Sequence, residues 1–161
     1  MSKSFIQVVR FVGLLIFIVP EIFAQNSLDI REHLAIDIGG IKQWISISGT
    51  NRRNPVLLFL HGGPGNSVMR YADNFTSELQ NKFVVVQWDQ RESGKTAELN
   101  ASGKPVTVAL MEHDAVEVIL YLRSRFSQDK IFLMGHSWGG FLGMMVALNH
   151  PELLHAYVAV C

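Results

Sequence analysis

Three nearly continuous apolar runs of strand length constrain the fold of this chain most strongly. They span residues 55–60, 83–88 and 130–134, and each is followed by a segment with helical features. A strand that is apolar along its whole length is buried on both faces, which is typical of parallel sheets covered by helices. The pattern therefore predicts an α/β protein with a mostly parallel sheet and flanking helices.

An antiparallel hairpin precedes these runs. Residues 33–38 and 41–47 alternate apolar and polar side chains, and two glycines join them, which indicates a tight turn between two strands. We predict helices over residues 67–80, 106–126 and 138–149, and a last strand over residues 156–161. The sheet then has about six strands within residues 25–161.

The longest predicted helix carries one apolar stripe. Its members are spaced at helical period and are Met111, Ala115, Val118, Ile119, Leu122 and Phe126. Glu112, Asp114 and Glu117 lie off the stripe, and we interpret them as a solvent-exposed face rather than as a carboxylate site.

The first residues follow the plan of a signal peptide. Lys3 and Arg10 precede an apolar stretch over residues 11–19, and a cleavage site is available after Ala24. A bilayer-spanning helix needs about 18 or more apolar residues, so a short anchor or a buried helix is the alternative reading. We predict that residues 1–24 are removed, that the protein is exported to the periplasm or the extracellular medium, and that it then has no stable membrane insertion.

The charge balance, the cysteine count and the spacing of metal-binding side chains each exclude a class of partner or cross-link. The 161 residues contain 14 basic and 14 acidic side chains, a formal net charge of +0, so a nucleic-acid-coating protein is excluded. The single cysteine, Cys161, excludes a disulfide within the chain, and we interpret it as the last residue of a buried strand. No zinc-ligand spacing is present, and we expect neither a metal nor a cofactor.

The most specific pattern follows the third apolar run. Residues 135–139 read Gly-His-Ser-Trp-Gly, which matches the nucleophile elbow, a sharp strand-to-helix turn that exposes a serine. Gly135 and Gly139 are required because a β-carbon at either position would collide with the turn. Ser137 is therefore the candidate nucleophile, and a turn with an incidental serine is the alternative.

A glycine-rich loop follows the first apolar run. Residues 61–65 read His-Gly-Gly-Pro-Gly, and backbone amides in such a loop can stabilise an oxyanion. We expect Gly63 and Trp138 to supply the two N–H donors. His61, Gly62 and Gly65 are expected to support the loop, and an ordinary glycine-proline loop is the alternative.

Polar residues also follow the second apolar run. Residues 88–91 read Trp-Asp-Gln-Arg, and Ser93-Gly94 comes directly after Glu92. No catalytic step requires these four residues. We therefore interpret Asp89 and Arg91 as polar groups that fix the loop and shape the pocket.

Together the three motifs resemble those of the α/β-hydrolase superfamily and, within it, the prolyl iminopeptidase branch. The resemblance covers about residues 30–161, the N-terminal half of such an enzyme. It implies that residues 25–161 are the N-terminal portion of an α/β-hydrolase domain, without the cap and the C-terminal part. It implies that Ser137 is the nucleophile and that Gly63 and Trp138 form the oxyanion hole. Prolyl iminopeptidases usually have glycine in place of His136 and of Glu92, and serine in place of Gly140, so the resemblance leaves the preference for an N-terminal proline open.

The resemblance also implies an acid and a histidine after the serine in the chain. The sequence continues for 24 residues beyond Ser137, and we expect neither His150 nor His155 to act as the base. We therefore expect an exported serine hydrolase, a proline iminopeptidase-like aminopeptidase that forms an acyl-enzyme at Ser137 and acts on a small peptide or ester. Its N-terminal portion alone is expected to be inactive. An esterase or lactonase on the same scaffold and a non-catalytic binding module are the alternatives.

Overall fold

The computed structural model describes residues 28–101 and 105–160. The predicted leader, residues 1–24, and Cys161 lie outside these described residues. Within them, no helix combines the length and the apolar character that crossing a bilayer requires.

Over the described residues, strands and helices follow one another in the order of an α/β fold. In chain order the elements are β1 (Ile30–Ile38), β2 (Ile41–Gly49), β3 (Val56–Leu60), α1 (Asp73–Thr76), β4 (Val84–Asp89), α2 (Gly94–Leu99), α3 (Val108–Phe126), β5 (Ile131–His136), α4 (Trp138–Asn149) and β6 (Leu154–Val160). Short 3-10 turns cover Leu79–Asn81 and Pro151–Leu153.

The strands form one sheet in the order β1-β2-β4-β3-β5-β6. β1 pairs antiparallel with β2, and β2 pairs antiparallel with β4. The remaining pairs, β4-β3, β3-β5 and β5-β6, are parallel. Every residue of β3 and β4 is buried, as continuous apolar runs require. The predicted α/β class and the antiparallel N-terminal hairpin are confirmed.

The register brings the carboxyl ends of three strands together. Leu60, the last residue of β3, pairs with Trp88 of β4 on one side and with Gly135 of β5 on the other. The segments that follow β3, β4 and β5 therefore leave the sheet at neighbouring points of one edge, where open α/β sheets bind their ligands.

Helix α3 buries its apolar stripe as predicted, but one of its carboxylates is also buried. Met111, Val118 and Leu122 are at most 1% exposed. Asp114 is 0% exposed, so the prediction that it lies on a solvent-exposed face is wrong. The reason is a buried partner, because Arg91 donates two hydrogen bonds to the Asp114 carboxylate.

Two helix predictions also differ from the structure. The helix predicted over residues 67–80 is only the single turn α1 followed by a 3-10 turn, because its asparagine, aspartate, serine and threonine side chains compete for backbone hydrogen bonds. The Ser67 hydroxyl, for example, accepts from Met69 N at 3.2 Å. The six-residue α2 was not predicted, since it is short and has no apolar stripe.

Candidate active site

Ser137 occupies the turn at which β5 passes into α4. Its backbone has a φ of 52° and a ψ of −116°, a region that side chains other than glycine rarely adopt. The residue is exposed. Its N–H donates to Val160 O at 3.0 Å, and its carbonyl accepts from Phe141 N at 3.1 Å. The backbone is thus held on both sides of an exposed hydroxyl.

Close packing explains the two glycines that flank Ser137. A β-carbon at Gly135 would overlap Gly139 O, and a β-carbon at Gly139 would overlap Leu60 O. Both obstacles are backbone atoms of the central strands and of the turn itself, which cannot move aside cheaply. The packing of this turn therefore leaves room only for glycine at both positions.

The glycine-rich loop after β3 lies directly against the turn. A β-carbon at Gly62 would be 3.3 Å from Ser137 Cβ and 3.1 Å from His136 Nδ1. Gly63 and Gly65 have positive φ angles of 121° and 82°. The structure therefore brings the loop and the serine together.

A cavity of about 720 Å³ opens beside the serine. Ser137 and Gly63 both line it, together with His136. The rest of its wall is mainly apolar and includes Phe59, Val68, Phe75, Leu79, Met134 and Val160. Trp138 is the first residue of α4, so its N–H has no acceptor within the helix, and the positive end of the helix dipole lies at the same place.

His61 is buried beneath the glycine-rich loop and is 1% exposed. Its Nδ1 lies 2.7 Å from Gly62 O, which can only accept, so Nδ1 carries the proton. Nε2 is then the acceptor for Gln90 N at 3.2 Å and for Ser93 Oγ at 3.1 Å. Burial lowers the pKa of His61 below 6.5, although Gly62 O and the Asp89 charge act in the opposite direction. A neutral His61 therefore braces the loop.

Asp89 and Arg91 lie at the end of β4 and are both buried. Asp89 accepts from the Ser67 hydroxyl and, at 2.9 Å, from Lys95 N. Arg91 donates from Nε and Nη2 to Asp114, at 2.8 and 2.9 Å, and from Nη2 to Gly39 O at 3.0 Å. The two side chains tie the segment after β4 to the neighbouring loops, to α2 and to α3.

Two residues of this region were missed by the sequence reasoning. The sequence places Asp114 on the exposed face of α3, and its position one residue before the apolar Ala115 is the only sequence signal of its burial. The sequence assigns no role to Gln90, which is 0% exposed and contacts both His61 and the Trp138 side chain. Its place between Asp89 and Arg91 is its only sequence signal.

The described part of the chain holds no histidine or carboxylate bonded to Ser137 Oγ and no candidate metal cluster. Over residues 28–101 and 105–160, no histidine or carboxylate side chain forms a hydrogen bond with Ser137 Oγ. Across the same residues, no group of three or more His, Cys, Asp or Glu side chains is arranged to hold a metal ion.

Comparison with known proteins places this geometry in a family. The model of the alpha/beta hydrolase fold matches residues 55–161. A protein of Bacillus subtilis (strain 168) named "Probable aminopeptidase YbaC" is 37% identical over 142 residues, which are 88% of this chain and 43% of that protein. A proline iminopeptidase of Thermoplasma volcanium is 29% identical over 123 residues, 76% of this chain and 40% of that enzyme.

The fold is also found in a solved hydrolase. The crystal structure of epoxide hydrolase VrEH1 from Vigna radiata superposes with a TM-score of 0.65 at 27% identity, over 80% of this chain and 38% of that one. The chain thus spans about two fifths of the length of the proteins it matches. With the family model covering more than half of its residues, the chain belongs to the α/β-hydrolase fold family and resembles the proline iminopeptidases within it.

Proposed function

We propose that the protein containing this chain is a serine hydrolase that removes the N-terminal residue from small peptides through an acyl-enzyme at Ser137. The observation that carries the proposal is the backbone of Ser137, with a φ of 52° in the turn between β5 and α4 and an exposed side chain. Strained angles of this kind persist at functional sites because the surrounding structure holds them.

The reaction has two steps. The Ser137 hydroxyl attacks the carbonyl carbon of the first peptide bond and gives its proton to a general base, which forms a tetrahedral intermediate. The intermediate collapses, the amine leaves with the proton from that base, and the acyl group stays on Ser137. Water then attacks the acyl-enzyme by the same route and releases the free amino acid.

The oxyanion of the intermediate is stabilised by two backbone amides. The N–H of Trp138 lies at the N-terminus of α4, and the N–H of Gly63 lies in the loop that contacts the serine turn. Removal of one such donor from a hydrolase costs roughly 3 to 4 kcal/mol of barrier. Gly63 and Trp138 are therefore the residues that this proposal assigns to the oxyanion hole.

The general base and its carboxylate partner belong, in this proposal, to sequence beyond residue 161. The triad order of this fold is serine, acid, histidine, and the matched proteins are more than twice as long as the segment that they share with this chain. His61 is unsuited to the role, because both of its ring nitrogens already have partners. On this proposal, residues 28–160 alone have little activity.

The names of two relatives support the substrate class. One is called a probable aminopeptidase and the other a proline iminopeptidase. The epoxide hydrolase of similar fold shows that the scaffold also serves other substrates, and the mainly apolar cavity beside Ser137 would accept an ester or a lactone. An esterase or lactonase is therefore the second candidate.

Export is part of the same proposal. It rests on the leader-like pattern of residues 1–24, which predicts cleavage after Ala24. N-terminal sequencing of the protein recovered from its natural host should begin at Gln25. An N-terminus at Met1 would contradict export by leader cleavage.

The activity is tested on the protein expressed from its complete coding sequence. The substrates are L-prolyl, L-alanyl and L-leucyl p-nitroanilides, their N-acetylated forms and p-nitrophenyl acetate. We expect release of nitroaniline from the free-amine substrates only, and a fall in kcat of at least about ten thousandfold in Ser137→Ala. Ser124→Ala, which removes an exposed hydroxyl from α3, is the matched control and should retain full activity.

Each other result favours one alternative. Cleavage of the ester without cleavage of any anilide would favour the esterase. No turnover of any substrate, and no difference between the wild type and Ser137→Ala, would favour the non-catalytic binding module and contradict the proposal.

A further inference from the structure

We infer that Gln90 is a positioning residue that sets the spacing of the oxyanion hole by joining its two halves. The inference rests on the proposed function, since it concerns how the Gly63 and Trp138 amides are held. Gln90 follows β4 and is 0% exposed, and its side chain lies between the glycine-rich loop and the start of α4.

Three hydrogen bonds define the position of Gln90. Its side-chain Nε2 donates to His61 O at 3.1 Å, and its Oε1 accepts from the Trp138 indole Nε1 at 3.1 Å. Its backbone N–H donates to His61 Nε2 at 3.2 Å. One residue thus holds the first residue of the loop twice and the first residue of the helix once.

These contacts lie next to the two predicted donors. His61 is two residues before Gly63, and its carbonyl is the first acceptor of the loop that carries the Gly63 N–H. Trp138 supplies the second donor from its own backbone, while its side chain is held by Gln90. A change in the Gln90 side chain therefore reaches both donors without touching the substrate.

The chemistry of the two partners requires an amide. His61 O can only accept, and the Trp138 indole N–H can only donate. The amide orientation is fixed, because the reversed orientation would place Oε1 against His61 O and Nε2 against the indole N–H. A carboxylate would face a carbonyl oxygen and a thioether would make neither bond well, so glutamate and methionine cannot replace the contact.

The backbone that carries Gln90 is itself fixed. Its two neighbours, Asp89 and Arg91, are buried and hydrogen-bonded, and Ser93 N donates to Gln90 O at 3.0 Å. A side chain on such a rigid segment can fix the distance between the glycine-rich loop and the start of α4. Oxyanion donors act when they lie about 2.7 to 3.1 Å from the oxygen, and a displacement of about 1 Å can cost about a hundredfold in rate.

The experiment measures inactivation by a fluorophosphonate, whose phosphoryl oxygen takes the place of the oxyanion. It uses the protein expressed from its complete coding sequence and separates the maximal inactivation rate from the inhibitor concentration at half-maximal rate. We expect Gln90→Met to lower the maximal rate about 10- to 100-fold and to change the half-maximal concentration less than about threefold. A purely structural role would lower thermal stability without lowering the maximal rate more than it changes the half-maximal concentration.

Gln87→Met is the matched control. Gln87 lies on β4, the strand that Gln90 follows, and is 6% exposed. Its side-chain Nε2 has no hydrogen-bond partner among the described residues, so it is bonded to neither half of the proposed oxyanion hole. Its maximal inactivation rate should stay within about twofold of the wild type. Trp138→Phe is a second variant, which removes the indole N–H and keeps both Gln90 and an aromatic ring.

The two variants should be coupled. If Gln90 acts through Trp138, Trp138→Phe also lowers the maximal rate. The double variant should then be no slower than Gln90→Met alone, whereas independent effects would multiply. Should Gln90→Met fail to fold, Trp138→Phe decides the matter alone. An unchanged maximal rate in Trp138→Phe would then overturn the inference.

The outcomes separate this inference from the proposed function. A wild-type protein that does not react overturns the proposed function and this inference with it. A reactive wild type with an unchanged maximal rate in Gln90→Met overturns only the inference. An equal loss in Gln90→Met and Gln87→Met also overturns it, because the effect would then belong to any buried glutamine of β4 and its end.

Discussion

At the residue scale, the turn at Ser137 places a residue with a β-carbon in a backbone conformation that favours glycine. With a φ of 52° and a ψ of −116°, the Ser137 β-carbon is crowded by its own backbone. The hydrogen bonds from Ser137 N to Val160 O and from Phe141 N to Ser137 O hold this conformation. The strained backbone lowers the stability of the folded chain and holds the Ser137 hydroxyl exposed at a fixed position.

This strain predicts an unusual ranking of two inactive variants. Ser137→Gly relieves the strained angles, whereas Ser137→Ala keeps the β-carbon, so we expect the glycine variant to be more stable by about 1 kcal/mol. Chemical denaturation of both variants measures the difference. A glycine variant less stable than the alanine variant, as in an ordinary turn, would contradict the strain.

His61 makes stability depend on pH. Its folded-state pKa lies below 6.5, first because of burial, so the unfolded chain binds a proton before the folded chain does. This residue therefore contributes its full stability above about pH 6.5 and loses it as the pH falls below that value. The loss is at most about 1.4 kcal/mol per pH unit for one proton.

The matching prediction compares two histidine variants between pH 7.5 and pH 5.5. His61→Gln should show a smaller fall in the free energy of unfolding than the wild type, because the titrating ring is gone. His113→Gln removes a ring that is 63% exposed and should leave the fall unchanged. Equal falls in all three proteins would show that His61 is not the group responsible.

Sequence reasoning located the residues whose spacing is dictated by local geometry. The elbow at residues 135–139 could be recognised because its two glycines have a steric purpose that holds in any such turn. Asp114 and Gln90 could not be recognised, because their partners, Arg91 in one case and His61 and Trp138 in the other, lie 23 or more residues away in the sequence. Contacts at such distances depend on tertiary packing.

At the element scale, a buried ion pair attaches α3 to the end of β4. Arg91 donates to both oxygens of Asp114, and Gln43 of β2 donates to the same carboxylate at 2.8 Å. The Asp114 side chain is 0% exposed and that of Arg91 is 10% exposed. The segment that carries Asp89 and Gln90 is therefore anchored to the long helix.

Loss of one partner should be costly. We expect Arg91→Met to lower the free energy of unfolding by about 3 to 5 kcal/mol, because the Asp114 carboxylate remains buried without its cation. Arg31→Met is the control, since the Arg31–Asp73 pair is 67% and 65% exposed and should matter by less than about 1 kcal/mol. Similar losses in the two variants, measured by urea denaturation, would contradict this account.

The elements themselves were predictable to different degrees. β3, β4 and β5 were found because continuous burial leaves a continuous apolar run, and α3 because one face of it packs on the sheet. The helix predicted over residues 67–80 is longer than the observed α1, and α2 is not predicted from the sequence. Their conformation depends on side-chain contacts such as Thr96 Oγ1 to Asp89 O, which no periodicity reveals.

At the scale of the whole molecule, the sheet has one outer strand with exposed apolar side chains. β6 pairs only with β5 among the described residues, and Val158 and Val160 are 46% and 40% exposed. An unpaired strand edge of this composition favours association between chains.

This edge predicts self-association of residues 28–161 expressed alone. We expect species larger than a monomer in light scattering, and a shift toward monomer in Val158→Lys, because a charge on an edge strand opposes pairing. Leu120→Lys is the control, since Leu120 is 46% exposed on α3, away from the edge, and should not change the distribution. A monomeric wild type would contradict the expectation.

The overall topology was predictable because strand type, helix order and loop position all follow from local patterns. The cavity beside Ser137 was not, since its wall combines side chains from β3, the segment around α1, β5 and β6. The base that the proposed function requires could not be assigned either, since no histidine among the described residues forms a hydrogen bond with Ser137 Oγ.

The central claim is that Ser137 is a nucleophile presented by the strand-to-helix turn. Its most direct test is the mass of the protein, expressed from its complete coding sequence, after reaction with a fluorophosphonate, followed by mapping of the modified peptide. The account predicts one adduct per chain, on Ser137, with none in Ser137→Ala. An unmodified protein, or an adduct on another serine, would contradict it.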